Sequence, residues 1–436
     1  MERAILTKLN HWKQAKTRKP LLLKGARQVG KTWVMKEFGR KYYEQVLYIN
    51  FERDKLLQNL FKTDFDISRI LSALQVQSGI VPNAENTLII FDEIQEAEGA
   101  LTALKYFQEE APEYHIIGAG SLLGIALNKT SFPVGKVQFL EMHPMSFSEF
   151  LEAMGEISIL NLLKVKDWKL MQTFHEKIVA LLKQYYFVGG MPEAVKNYAD
   201  SRNFEEVREL QKDILAAYEL DFSKHAPAQI VPKIRMVWNS LPSQLARENK
   251  KFIYGLVKTG ARAREYEDTL NWLVDYGLIH RIYRITKPGF PIRSYEDLKA
   301  FKIFALDTGL LGALSGLDAQ LLLQKNKLFT EFKGALTEQF ILQQLISENG
   351  IHPNYWSNDT SSNEVDFIIE HQQNLYPLEV KAEENLQSKS LKSYHQQFEP
   401  KMSIRTSLSH FRNEDWLMNI PLYAIREIRS MIQGVE

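Results

Sequence analysis

The stretch Gly25-Ala26-Arg27-Gln28-Val29-Gly30-Lys31-Thr32 fills the pattern G-x-x-x-x-G-K-[ST] at every position. Glycines let the main chain curl until several N–H groups face one anion. A helix that starts where such a loop ends adds its own unpaired N–H groups and a partial positive charge. In that setting the Lys31 ammonium reaches the β- and γ-phosphates of a nucleoside triphosphate, and the Thr32 hydroxyl ligates Mg²⁺. A carboxylate on a neighbouring strand is then needed to hold the ion. The segment NTLIIFDEIQEA supplies Asp92 and Glu93. Asp92 would hold Mg²⁺ through water, and Glu93 would orient and deprotonate the attacking water. The plainer reading of the Asp-Glu pair is a helix N-cap.

These groups can act only if regular elements hold them. Leu21–Leu23 reads as a short buried strand, and Trp33–Arg40 continues as a helix, so the octapeptide sits in a strand–loop–helix context. Leu88–Phe91 is a second apolar strand with Asp92-Glu93 at its C-terminal end, where ligands collect in a parallel sheet. A third strand follows in HIIGAGSLLG. Ser121, after its glycine-rich turn, either senses the γ-phosphate and positions water or is simply a turn serine. Leu101, Leu104 and Phe107 recur at helical spacing and read as core.

The composition sets the frame. A chain of 436 residues predicts two to four domains, and 45% hydrophobic with 25% charged residues is the range of a soluble globular protein. With no cysteine there is no disulfide, thiolate nucleophile or cysteine-ligated metal. Lys+Arg at 54 nearly cancels Asp+Glu at 53, so any basic surface for nucleic acid must be local. The absence of a long apolar run predicts no membrane span. The charged opening MERAILTKLNHWK has no signal-peptide core, which places the protein in the cytoplasm as an expectation. The ten histidines are scattered, and His395 and His410 have no ligand partner at a recognised metal spacing.

From SFPVGKVQFLEMHPMSFSEFLEAMG onward the pattern becomes specific to a family. With the octapeptide, Asp92-Glu93 and the Gly-Ser turn, it resembles the bacterial and archaeal AAA-type ATPases that carry a C-terminal DUF4143 domain. YYFVGGMPEAV, YELDFSKHA, DTGLLGAL, FKGALTEQFILQQL and EVDFIIE…YPLEVKAEE follow in the same order, so the resemblance covers nearly the whole chain. It implies ATP and Mg²⁺ as cofactors, ATP/ADP and DNA as partners, and a homo-oligomer. Family members commonly carry Gly-Arg where this chain has Gly135-Lys136. In such ATPases an arginine there can reach a neighbouring subunit's γ-phosphate. Lys136 keeps the charge but loses the bidentate fork; its other reading is an ordinary strand-entry lysine.

Further along, Glu149 to His225 reads as helices, which the resemblance makes a lid over the nucleotide. Gly189-Gly190-Met191-Pro192 reads as a helix-ending turn or a hinge. From about Ile230 to Leu314, two helices and two strand-like stretches give a winged-helix outline. Its second helix carries Glu265, Glu267, Asp268 and Asp275, which oppose phosphates, whereas Arg281, Arg284, Lys287 and Arg293 could form a basic wing. The module either touches DNA or packs between the ends of the chain.

Near the C-terminus, NEVDFIIEHQQNLYPLEVKAEENLQSKSLKSYHQQF reads as two strands, a polar turn between them, and a helix. Strand alternation puts Glu379 and Lys381 on the face opposite Leu378 and Val380, with Asp366 able to share that space. An Asp followed by Glu-x-Lys on the next strand resembles the PD-(D/E)xK nuclease core. Asp366 and Glu379 would hold Mg²⁺, Lys381 would position water or offset developing charge, and Glu338 would complete the site from a helix. The other reading is a hairpin with a surface Glu–Lys pair, or a nuclease-like fold without activity.

The expected fold is therefore α/β. It combines an AAA-type P-loop NTPase parallel sheet (1–148), a helical lid (149–228), a winged-helix-like middle domain (229–316) and an α/β restriction-endonuclease-like C-terminal domain (317–436).

Overall fold

The computed structural model describes residues 2–62, 64–120, 123, 135–247, 251–323, 330–358, 363–383 and 387–434. They form two compact units, Met1–His143 with Asp275–Gly277, and Pro144–Val274 with Leu278–Glu436.

The first unit is built on five parallel strands: β1 (Leu21–Lys24), β2 (Gln45–Asn50), β3 (Thr87–Asp92), β4 (His115–Ala119) and β5 (Gln138–Glu141). Their spatial order is β2-β3-β4-β1-β5. β3 and β4 are buried at every residue, as expected of a parallel sheet covered on both faces. Helices α1 (Ile5–Gln14), α2 (Lys31–Tyr42), α3 (Ile67–Ser78) and α4 (Ala100–Glu110) accompany the sheet. The apolar faces of α3 and α4 enter one core with Leu22, Leu47, Phe51, Phe61 and Phe91. Leu101, Leu104 and Phe107 lie in that core, as their spacing predicts. Asp66 caps α3 by accepting from the Arg69 N–H, and Gly79 ends it in the left-handed conformation. In register, Asn50 lies opposite Asp92 and Asp92 opposite Ala119, so the C-terminal ends of β2, β3 and β4 converge beside the loop after β1.

The second unit contains helices and an eight-stranded mixed sheet. Its strands are β6 (Ile279–Ile285), β7 (Glu296–Ala305), β8 (Asn354–Ser357), β9 (Glu364–His371), β10 (Asn374–Val380), β11 (Ser403–Ser407), β12 (Arg412–Asn413) and β13 (Leu417–Pro421). Their order is β12-β13-β11-β10-β9-β8-β6-β7. β6 and β7, read from the sequence as a wing, pair antiparallel with each other, and β6 also pairs parallel with β8. They therefore extend the sheet that holds the C-terminal strands.

Helices His175–Val188 and Phe204–His225, from the stretch expected as a lid, pack in this unit against helix Thr308–Leu314. Polar groups join these helices. The buried Asp307 carboxylate accepts from the Gly190 N–H (2.6 Å), the Leu310 N–H (3.1 Å) and the Gln343 amide (2.9 Å). Tyr185 donates to the Met145 carbonyl (2.6 Å) and accepts from the same Gln343 amide (3.0 Å). A Cβ on Gly190 would lie 2.1 Å from the Met145 carbonyl oxygen, so only glycine lets the two backbones meet. The Gly-Gly-Met-Pro and Asp-Thr-Gly-Leu stretches are thus two halves of one buried junction. No helix among the described residues is long and apolar enough to cross a membrane.

Candidate functional site

The loop from Gly25 to Gly30 is shaped by residues that leave the common backbone regions. Gly25 has φ 148°, Gln28 φ 65° and Gly30 φ 93°. A Cβ on Gly25 would sit 2.3 Å from the Met142 carbonyl oxygen, so glycine is required there. Gly30 is the left-handed N-cap of α2, with no capping side chain on the first free N–H groups. The helix start is therefore left as a set of donors for an external anion.

Lys31 is the first residue of α2 and is buried. Its ammonium donates to the carbonyls of Gly25 and Ala26, both at 2.8 Å. Burial pulls it down to about 8, while Glu93 and Asp92 oppose that shift. Neutral carbonyls compensate a buried charge only in part, and a phosphate oxygen can replace either of them.

Thr32 Oγ1 donates to Asp92 Oδ2 at 2.7 Å, so the two hard-oxygen groups expected at Mg²⁺ meet directly. Their chemistry and proximity fit that ion. The same carboxylate oxygen accepts from the Tyr48 phenol at 2.8 Å, and Asp92 Oδ1 accepts from the Glu93 N–H at 3.2 Å. Tyr48 is steadied by Asn50, whose amide donates to the phenol oxygen at 3.4 Å, and by the Lys36 ammonium 3.8 Å from the ring centroid. Burial pushes the phenol up to about 12, so it stays a donor.

Glu93 has φ 49°, an uncommon conformation for a residue with a Cβ, and the Gln95 amide donates to its carboxylate at 2.7 Å. The Gln95 carbonyl lies against Gly120, where a Cβ would approach it to 1.9 Å. Tyr48, Asn50 and Gln95 were missed in the sequence. The signal for the first two was a polar pair at i and i+2 on the C-terminal end of a strand, which is the ligand-facing end. Ser121 lies outside the described residues. Lys136 pairs with Glu109 at 2.9 Å and is half exposed.

In the second unit, Glu379 Oε1 and the ammonium of Lys381, the residue after β10, are 2.6 Å apart. Glu379 Oε2 is buried and has no hydrogen-bond partner among the described residues. Arg405 on β11 stands opposite Glu379 in register and donates through Nε to Asn419 at 2.9 Å. Asp366 Oδ2 accepts the Val380 N–H at 2.8 Å. Glu338 is buried in helix Thr330–Ser347. Lys302, absent from the expected set, is fully buried on β7 and ion-paired with Glu364. Among the described residues, no three His, Cys, Asp or Glu side chains lie close enough to hold a metal ion. Of the expected basic wing, Arg281 pairs with Glu267 and Arg284 with Asp297, each at 2.8 Å.

Comparison with protein families matches an AAA domain at residues 17–151, a domain of unknown function (DUF8612) at 179–321 and another (DUF4143) at 333–425. No curated protein matches. Among solved structures, the chain is similar to the Walker-type ATPase of Pyrococcus abyssi, at 16% identity and TM-score 0.43, covering 71% of this chain and 94% of that one. It is also similar to the Thermotoga maritima RuvB Holliday junction branch migration motor, at 14% identity and TM-score 0.29, covering 64% and 90%. A third is the Aeropyrum pernix ORC1 protein in complex with DNA, at 13% identity and TM-score 0.30, covering 72% and 91%.

Proposed function

We propose, for a chain that carries an AAA domain in its N-terminal part and a DUF4143 domain in its C-terminal part, that it is a Mg²⁺-dependent ATPase whose nucleotide cycle gates the C-terminal unit. The observation that carries this reading is the Thr32–Asp92 contact at 2.7 Å beside a buried lysine whose ammonium donates to two loop carbonyls. The N–H groups of the loop and of the first turn of α2 cradle the phosphates. Lys31 leaves its carbonyls for the β- and γ-phosphate oxygens. Thr32 and Asp92 would hold Mg²⁺, which when bound offsets charge on the phosphates. Tyr48 keeps the Asp92 carboxylate oriented. Glu93, released from Gln95, orients the attacking water and accepts its proton. Lys136 is a candidate for a charge supplied to a neighbouring copy.

Two readings concern the C-terminal unit, with DNA as the proposed partner in both. In one, Glu338, Asp366 and Glu379 hold Mg²⁺ and Lys381 assists cleavage. In the other, the unit binds without cutting and ATP controls its grip. The close Glu379–Lys381 pair and the engagement of Asp366 by a backbone N–H favour the second. A plasmid-nicking assay with and without ATP, on wild type, Lys31→Ala and Lys381→Ala, tests both. The second reading expects intact plasmid throughout and DNA retention that depends on ATP and Lys31. Metal-dependent nicks lost in Lys381→Ala would restore the first.

A further inference from the structure

Glu338, Glu364, Asp366 and Glu379 are carboxylates of the region that resembles a nuclease core; no three of them lie close enough to hold a metal ion with Lys302 in place, although a divalent ion is the usual answer to such a charge. This chain has another. Lys302 lies in FKIFA on β7, a stretch buried at every residue, and its side chain is fully enclosed. It pairs with Glu364 on β9 although β6 and β8 separate the two strands in the sheet. On the way its ammonium lies 4.7 Å from the centroid of Tyr355 on β8. A long side chain thus crosses the sheet to place one positive charge among acids.

Burial alone would depress that ammonium, but the charges of Glu364, Glu338 and Asp366 more than offset it and hold it above the usual lysine value. The fourth acid, Glu379, has Lys381 at 2.6 Å and Arg405 opposite in register. Lys302 thus pairs with Glu364 and acts on Glu338 and Asp366 through its charge, while Lys381 and Arg405 stand beside Glu379. A divalent ion added here would face the buried Lys302 ammonium, a costly arrangement.

We propose that Lys302 is the resident cation of the C-terminal acidic cluster, standing where a divalent metal's charge would otherwise be required, so that this unit keeps the nuclease-like residues in a metal-independent form. This deepens the non-cleaving reading of that unit and is independent of the ATPase reading.

The test is Mn²⁺ binding to the full chain without nucleotide, followed by the paramagnetic resonance of free Mn²⁺. Asp92→Asn is included to remove ion affinity from the P-loop. With Lys302 intact, no Mn²⁺ is expected to bind at millimolar concentration. Lys302→Met should gain one Mn²⁺ per chain, and Asp366→Asn added to it should abolish that gain. Mn²⁺ taken up with Lys302 intact and lost in Asp366→Asn or Glu379→Gln would overturn the proposal, as would a Lys302→Met protein that folds and gains nothing. If Lys302→Met does not fold, Lys302→Gln provides the uncharged variant, and the Lys302-intact arm still decides. Loss of ATP uptake in Lys31→Ala reads the other site, so failure of one proposal is not mistaken for failure of the other.

Discussion

Lys31 and Lys302 are both buried ammonium groups, yet their surroundings give them opposite electrostatics. Lys31 rests on two neutral carbonyls, and burial pulls it down to about 8. Lys302 rests on a carboxylate and is held above the ordinary lysine value. A charge left partly uncompensated gains when an anion arrives, whereas a charge already neutralised gains nothing from a ligand and loses much if its partner is removed. On this contrast we propose that the first lysine marks a binding site and the second a site filled from within.

The largest expected effect tests the filled site. Lys302→Met leaves the Glu364 carboxylate without its cation, and removing one partner of a buried pair costs about 3–5 kcal/mol. Urea denaturation should show that loss, and Lys302→Met combined with Glu364→Gln should recover most of it. A neutral single variant would erase the contrast. At the open site, Lys31→Ala should leave the fold intact and lower ATP turnover roughly 10²–10³-fold, the scale of losing one charge-stabilising donor. Phosphate release measured beside a denaturation transition that stays cooperative and comes no earlier than in wild type checks this.

The contrast sharpens with pH. Lys31 in the free protein is charged below about 8 and neutral above it. Bound phosphates hold its proton, so ATP affinity should be flat at lower pH and fall up to about tenfold per unit once pH exceeds that value. Calorimetry in buffers of different ionisation heat should find little proton uptake near pH 7 and an uptake approaching one proton per nucleotide near about pH 9. For folding the dependence is the opposite. The folded value lies below the unfolded one, so charged Lys31 costs stability below about 8, and the cost is relieved as pH rises towards the ordinary lysine value. Lys302, with its raised value, should instead contribute stability that persists through the neutral range.

Much of the first unit was legible because its chemistry is local. Eight consecutive residues specify the loop, and Asp92-Glu93 follows an apolar run whose strand end is the ligand-facing end. The second unit depends on long-range partners. The Glu-x-Lys spacing anticipates that Glu379 and Lys381 meet, but nothing near residue 302 says that its ammonium will meet Glu364 across two intervening strands. A lone lysine inside an apolar run was the available signal, and it does not name its partner. Arg281 and Arg284 looked like a basic wing because the sequence shows their charge but not Glu267 and Asp297, which pair with them. Likewise Gly190 and Asp307, 117 positions apart, share one hydrogen bond that neither stretch announces.

The smallest predicted effect separates positioning from scaffolding within the open site. Tyr48 and Thr32 donate to the same oxygen of Asp92, so the carboxylate is held from β2 and from α2 at once. If Thr32 held a metal instead, the Tyr48 bond would be what still fixes that oxygen among the described residues. Tyr48→Phe removes the hydroxyl and keeps the ring under Lys36. It should therefore leave ATP affinity without Mg²⁺ unchanged, raise the Mg²⁺ concentration needed for half-maximal turnover, and lower turnover about fivefold, roughly one hydrogen bond's net contribution. An equal loss of affinity without Mg²⁺ would mean that Tyr48 supports the loop rather than the carboxylate, and the second hold on Asp92 would have no catalytic meaning.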